Sequence, residues 1–561
     1  MSNNEILSST AKKIFEMKYA KTLPDGKKET WPQTVTRVSQ YIASAEKNEA
    51  TELAFMAQVF EIIHDQLFLP GGRILANAGT GIKNLLNCFT LPIEDSRKSI
   101  YDTLGKVAEI FAWGGGVGFN FSHLREKGAL VSTTGGSASG PISFMSLFDQ
   151  TGEVISQASR RGAQMAILNV NHPDIETFIN IKSNLDGRNI RLMEEYKRNL
   201  KDAGLKTDGD GYFEIMKKTL ADDQLTHFNL SVAMTDEFMA SSETDKNKMK
   251  LLKIIAENVY DNGDPGLYFI NRANQDNMTP YLGSFDATNP CGEVPLLPYE
   301  ACCLGSINLF KFSEKGAFNW DDLRTTIRIA VRFLDNVHEL NYTPIEEINE
   351  ATKNTRRLGL GVMGLADTLA ELGLPYDSKD AMDFCDLLAR FIAKEAWLAS
   401  MDLAEERGPF FAFVEEYINW RLIDNLDLKR RPVRNAAVTS IAPTGSISLL
   451  AGVNGGIEPY FAHDYTRNIT KGIGNTAEEI IKQKAFSSNV RTAHEISWED
   501  HINMQVAWQN YIDNAVSKTI NMPNEATVGD IISAYYMAWE KGLKGITVYR
   551  DGSRMFQILN R

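Results

Sequence analysis

Asn289-Pro290-Cys291-Gly292-Glu293 opens the stretch NPCGEVPLLPYEAC, which runs from Asn289 to Cys302. In an extended segment alternate side chains share one face. Asn289, Cys291 and Glu293 are therefore expected to look into one pocket. An amide, a thiol and a carboxylate there supply a hydrogen-bond donor, a redox or nucleophilic centre and a base. In isolation, a polar loop with an incidental cysteine has the same five letters.

The surroundings carry more such groups. Cys302 and Cys303 stand together in YEACCLGSINL, Cys88 lies far upstream in LLNCFTLPIEDS, and Cys385 completes a set of five cysteines. No CxxC pair and no zinc-type spacing is present, so no metal site is expected. A sparse, odd set points to free thiols. Cys385 falls on the helical segment Ala381–Gly408 and reads as a core thiol. Near the end, APTGSISLLAG follows an apolar strand-like run and sets Thr444, Gly445 and Ser446 where a strand hands over to a helix. Amides and hydroxyls at such a point are phosphate ligands, and a simple helix cap has the same letters.

Around these segments short β-like runs alternate with helices. GVGFNFSHL (Gly116–Leu124), QMAILNV (Gln164–Val170) and NAAVTSIA (Asn435–Ala442) read as strands. Ser96–Trp113, Thr325–Leu340 and Ala381–Gly408 read as helices. This alternation over 561 residues implies an α/β architecture. Residues 1–70 carry apolar side chains at helical spacing, as in TELAFMAQVFEIIHDQL (Thr51–Leu67). The reading therefore divides the chain into an N-terminal helical region, 1–70, and an α/β domain, 71–561. The polar segment Asp186–Leu225 is read as a surface excursion. Gly359-Leu360-Gly361-Val362-Met363-Gly364 fits GxGxxG, but Asn354-Thr355-Arg356-Arg357 precede it where a dinucleotide site needs an apolar strand.

With a hydrophobic content of 43% and 23% charged residues the chain can bury a large core, and its net charge of −13 excludes a non-specific grip on nucleic acid. The N-terminus lacks an apolar signal, and the longest uncharged run, between Arg434 and Glu458, is broken by Pro443 and several glycines. A cytoplasmic protein without membrane contact is expected.

In order and spacing the segments LLNCFTLPIEDS, GGGVGFNFSHLR, GGSASGPISFM, ASRRGAQMAIL, FNLSVAMTDEFM, NPCGEVPLLPYEAC, RRLGLGVMGLAD, APTGSIS and GITVYRDGSR resemble the ribonucleotide reductase catalytic chain, from about Leu69 to Ser553. The resemblance is nearest to the adenosylcobalamin-dependent class. It implies a ten-stranded α/β barrel of two parallel five-stranded halves, with a central loop carrying Cys291. It also implies that Cys291 is the thiyl-radical cysteine, Glu293 the base on the 3′-hydroxyl and Asn289 the amide orienting substrate hydroxyls. Cys88 and Cys302 become the reducing dithiol, with Cys303 a neighbour that could compete for the role. Asn87, Pro443, Thr444, Gly445 and Ser446 become substrate ligands.

Asp95 and Arg125 match effector contacts, for a deoxynucleotide or ATP. Arg160 and Arg161 match the loop that relays effector identity to the substrate site. A homodimer through the helix near Ser96–Trp113 and a thioredoxin-like reductant are implied as partners. Neither the family's N-terminal nucleotide-binding cone nor its cysteine-bearing tail is recognisable. Specificity effectors without an overall activity switch are therefore expected. In relatives fed by a separate radical subunit, two adjacent tyrosines carry the electron. Here Tyr549 matches the first, but Arg550 holds the second place, and Tyr535–Tyr536 read as packing. That favours adenosylcobalamin over the alternative of a partner-fed large subunit. A third alternative, a silent nucleotide sensor on the same fold, has no chemical need for all of Cys88, Asn289, Cys291, Glu293 and Cys302.

Overall fold

A computed structural model describes residues 7–132, 135–155, 162–182, 225, 227–470, 478–484, 490–553 and 559–560. Three helices form the N-terminal region: α1 (Ser9–Lys18), α2 (Trp31–Ala43) and α3 (Glu49–His64). Each starts where the sequence supplies a cap. Ser8 and Asn48 accept from the amides of Ala11 and Thr51, and Thr30 forms a capping box with Gln33.

A ten-stranded sheet follows. Its strands are β1 (Phe68–Pro70), β2 (Cys88–Thr90), β3 (Gly116–Asn120), β4 (Gln164–Asn169), β5 (Phe228–Met234), β6 (Gly266–Phe269), β7 (Ala301–Asn308), β8 (Leu358–Met363), β9 (Thr519–Met522) and β10 (Gly545–Arg550). β2 to β6 pair in sequence order, all parallel, and make one complete five-stranded half. The other half begins with the parallel pair β7–β8 and ends with the parallel pair β9–β10. The halves meet antiparallel at β7–β2 and at β10–β6, and β1 adds antiparallel to β7.

The regular ladders thus trace an open path and not a closed barrel. NAAVTSIA, expected as a strand, forms only isolated parallel bridges, Leu360 with Thr439 and Ile441 with Val516. The reason is local. Asp513 takes the amides of Val438 and Thr439 at 2.6 and 2.7 Å, so these donors bond a side chain instead of a neighbouring strand. Through this segment β8 reaches the residues that lead into β9.

Helices cover the outside. α4 (Arg97–Ala112), α5 (Trp320–Leu340) and α6 (Lys379–Arg407) are the long ones expected from periodicity. α5 buries Leu323, Ile327, Ala330, Leu334 and Val337, a single face at helical spacing. Cys385 on α6 is buried in the same core. Gly359 to Met363 of the GxGxxG run lie inside strand β8, and only its last glycine, Gly364, caps the helix that follows (Leu365–Glu371). A β-carbon at Gly361 would lie 2.3 Å from the Ser440 carbonyl oxygen, so close strand packing is what these glycines serve. No helix among the described residues is long and apolar enough to cross a membrane. Arg160, Arg161 and residues 186–224 of the expected excursion lie outside the described residues.

Ion pairs fasten the N-terminal helices to this frame. Glu46 accepts from Arg332 at 2.9 and 2.5 Å, from Arg407 at 2.8 Å and from Asn336 at 2.8 Å. Burial alone pushes its carboxyl up, but the hydrogen bonds from Arg332, Asn336 and Arg407 prevail and hold it at about 2. A carboxyl depressed in the folded state adds stability above its unfolded value, near 4.5, and loses it as pH falls towards about 2. Glu46→Gln should therefore destabilise the protein by roughly 1–3 kcal/mol at neutral pH. In urea unfolding the gap to wild type should narrow as pH drops below 4.5, the unperturbed carboxyl value. A gap constant with pH contradicts the assignment.

Candidate active site

The stretch around Cys291 forms a hairpin. Ala287–Thr288 pairs antiparallel with Pro295–Leu296, and Asn289 to Glu293 form the connecting turn. The expected extended conformation is not adopted. Gly292 N–H donates to the Asn289 carbonyl at 3.0 Å, and Gly292 sits at φ 79°, which suits glycine. A turn brings Asn289, Cys291 and Glu293 to one cavity by a different route from strand alternation.

Four hydrogen bonds fix the turn. The Asn289 side-chain oxygen accepts from the Val294 amide at 3.0 Å. The Glu293 carbonyl accepts from the Ser440 hydroxyl and from the Ala515 amide, both at 2.9 Å. Asn229 on β5 donates to the Pro290 carbonyl at 2.7 Å. Sequence reasoning assigned no part to Asn229 or Ser440, although FNLSVAM and NAAVTSIA both drew notice. Their signal is polarity inside otherwise apolar strand-like runs.

Cys291 is exposed at the tip, and the other four cysteines are buried. Cys88 and Cys302 are direct partners in the β2–β7 ladder. Both belong to a small core cluster with Val294, Leu296 and Leu304 that faces the hairpin. Cys303 points the other way, into the main core, because neighbouring residues of a strand take opposite faces. Alternation thus separates the two adjacent cysteines, which the sequence had left open. Asn289 donates to Cys88 Sγ at 3.3 Å. Burial pushes the Cys302 thiol well above its ordinary value, and Cys88, Cys303, Glu293 and Asp513 push the same way. Cys302 therefore stays a protonated thiol at neutral pH.

Two cavities meet at Cys291. The smaller, of about 190 Å³, is lined by Asn87, Cys88, Asn289, Cys291, Glu293 and Pro443 to Ser446. It gathers the expected catalytic and substrate residues except Cys302, which lies behind Cys88 as its ladder partner. Thr444 takes φ 57° and ends the approach to helix α7 (Gly445–Ala451). Its hydroxyl accepts from the Gly456 amide at 3.0 Å and caps no amide of α7, so the plain cap reading does not hold. The larger cavity, of about 470 Å³, lies on the other side of the turn. Leu267, Tyr268, Val516, Ile546 and Val548 give it apolar wall, and Asn229, Ser231, Ser517 and Asn521 give it polar groups.

Asp95 and Arg125 are joined elsewhere, at 2.6 Å, near the start of α4. Tyr549 lines the larger cavity, whereas Arg550 is buried on the opposite face of β10. The Arg550 guanidinium stacks 3.9 Å from the centre of the Tyr260 ring and donates to two carbonyls. Tyr535 is a core residue, and Tyr536 bonds Ser242 at 2.6 Å.

Two family models match the chain. The description "Ribonucleotide reductase, barrel domain" matches residues 86–250 and 244–549, and "Ribonucleotide reductase, all-alpha domain" matches 7–83. The chain belongs to the ribonucleotide reductase family. It is 41% identical to the vitamin B12-dependent ribonucleoside-diphosphate reductase of Mycobacterium tuberculosis (strain CDC 1551 / Oshkosh), over 88% of this chain and 71% of that protein. It is 39% identical to the protein of that name from Thermoplasma acidophilum, over 89% of this chain and 65% of the relative. The ribonucleoside-diphosphate reductase large subunit of variola virus is 26% identical, over 86% of this chain and 64% of the viral protein.

For a reductase with this geometry, Cys302→Ser should lower deoxynucleotide formation at least ~100-fold, while Cys303→Ala should leave most of it. Peptide mapping after turnover without reductant should find Cys88 joined to Cys302. A Cys88–Cys303 link contradicts the facing read from the strand.

Proposed function

We propose that this chain reduces ribonucleoside diphosphates to 2′-deoxyribonucleoside diphosphates through a thiyl radical on Cys291, started by adenosylcobalamin. The observation that carries the reading is the place of Cys291. Its exposed thiol lines two cavities, a smaller one shared with Glu293, Asn289 and Cys88, behind which Cys302 faces Cys88 in the β2–β7 ladder, and a larger one walled by β5, β6, β9 and β10. The names of the Mycobacterium and Thermoplasma relatives support both the cofactor and the diphosphate.

The larger cavity fits the nucleoside end of the cofactor. Its size is in the range of small-molecule sites, and its lining mixes apolar wall with a few polar side chains. When bound, adenosylcobalamin supplies the homolytic chemistry that begins the reaction. The chain's own residues do the rest. The Cys291 sulfur takes the 3′-hydrogen of the ribose. Glu293, which is 2% exposed, takes the proton of the 3′-hydroxyl, and the Asn289 amide holds the hydroxyls in place. The 2′-hydroxyl leaves as water. Cys88 and Cys302 supply two protons and two electrons and close to a disulfide, so atoms and electrons balance. The Cys291 sulfur then returns the hydrogen to C3′, and Glu293 returns its proton to the 3′-oxygen.

Burial serves this scheme, because a Cys302 thiol that resists ionisation delivers hydrogen instead of acting as a thiolate. Asn87 and Pro443 to Ser446 hold the substrate and its phosphates. The Asp95–Arg125 pair is read as part of a specificity-effector site, with Arg160 and Arg161 relaying to the substrate, and a homodimer through α4 and a thioredoxin-like reductant as partners. The alternative of a separate radical-generating subunit is opposed by Arg550. Its guanidinium is committed to Tyr260 and cannot be oxidised in a relay.

Purified chain with ribonucleoside diphosphate and dithiothreitol should form deoxynucleotide only when adenosylcobalamin is added. Cys291→Ser should fold and lose turnover. Turnover without cobalamin, or turnover only with a metal-containing second subunit, rejects the cofactor. Wild-type product from a folded Cys291→Ser rejects the radical assignment.

A further inference from the structure

Tyr19 belongs to none of the groups assigned above. It closes helix α1, where its amide donates to the Phe15 carbonyl at 2.9 Å, and it is 4% exposed. Its hydroxyl lies 2.6 Å from Ser446 Oγ, although the two residues are 427 positions apart in the chain. Ser446 lines the smaller cavity beside Thr444 and Gly445.

Packing on both sides builds this approach. Phe15 meets Trp31 edge-on, with ring centres 5.7 Å apart, and the Trp31 indole N–H donates to the His64 carbonyl at 3.1 Å. Helix α1 is thereby locked to α2 and to the end of α3. On the cavity side, a β-carbon at Gly72 would lie 3.2 Å from the Tyr19 oxygen and 3.3 Å from its ring. The glycine lets the ring cross the backbone where the short helix Gly72–Asn77 begins. A β-carbon at Gly71 would lie 2.9 Å from the Asn87 side-chain nitrogen. Gly71 and Gly72, which line the cavity, thus lie against Asn87 and Tyr19 respectively.

We propose that Tyr19 is a positioning residue for substrate phosphate, donating its hydroxyl proton to Ser446 Oγ so that the Ser446 proton turns to a phosphate oxygen. The proposal rests on the phosphate-binding part given to Ser446 above. A serine hydroxyl has one proton and two lone pairs. With Tyr19 occupying a lone pair, the proton remains for an anion that can only accept. Two linked hydroxyls also polarise each other, which strengthens the outer bond. The N-terminal helices then contribute to recognition of the nucleotide's phosphates, not of its base or ribose.

Calorimetric titration of the full chain with inorganic pyrophosphate, and with guanosine as a phosphate-free control, tests this. Tyr19→Phe should weaken pyrophosphate binding about three- to tenfold and leave guanosine binding unchanged. In a Ser446→Ala background Tyr19→Phe should have no further effect. Gly72→Ala, which crowds the ring, should give the same selective loss. In turnover, Tyr19→Phe should raise KM for the ribonucleoside diphosphate by a similar factor, with kcat within about twofold of wild type. Unchanged pyrophosphate binding, an equal loss for guanosine, or effects that multiply in the double variant overturn the proposal. A wild-type chain that shows the pyrophosphate pattern but reduces no ribonucleotide rejects the functional reading and leaves the Tyr19–Ser446 site standing.

Discussion

A β-carbon at Gly118 would lie 1.6 Å from the Thr288 carbonyl oxygen. No side chain can occupy that space, so the Cys291 hairpin lies with its backbone directly on strand β3. The rest of the site depends on this close approach. Gly116 does the same one pleat away, where a β-carbon would lie 2.9 Å from Pro290. With the hairpin held against β3, its turn reaches the level of β2 and β7, where Cys88 and Cys302 face each other. The glycines set the depth of the hairpin, and the depth decides which thiols can share a substrate.

Buried charges hold the far end of the same hairpin. Glu300 accepts from Arg357 at 2.9 and 2.8 Å and from Thr355 at 2.6 Å, and it also takes the Leu297 amide at 2.8 Å. One carboxylate therefore ties the outgoing strand of the hairpin to the residues that lead into β8. Arg356, the preceding residue, pairs with buried Asp335 on α5. Removing either member of such a pair leaves a charge in the core without its partner, which is costly. The two arginines before the GxGxxG run have this structural task, and a dinucleotide reading of the run has no room for them.

Much of this was legible in the sequence. The α/β alternation, the N-terminal helices and the long helices α4 to α6 follow from apolar periodicity and appear within a few residues of their expected ends. The reductase residues came from a resemblance across many segments, and the fold brings Asn87, Cys88, Asn289, Cys291, Glu293 and Pro443 to Ser446 to one cavity. Local pattern failed where tertiary contacts override it. Asn289 to Glu293 form a turn because Gly292 and the Asn289 carbonyl close it, and Val438–Thr439 keep only a bridge to β8 because Asp513 takes their amides. Tyr19 gave no signal at all, since its partner lies at the other end of the chain.

The central claim is that the ribose is reduced at the expense of two facing thiols, Cys88 on β2 and Cys302 on β7. A single-turnover experiment reaches it most directly. Prereduced chain, freed of external thiol, is mixed with adenosylcobalamin and excess ribonucleoside diphosphate, and product and free thiols are counted together. The account predicts about one deoxynucleotide per active site and a loss of about two titratable thiols per chain. Product formed in a burst with no loss of thiols, or loss of thiols with no product, contradicts it.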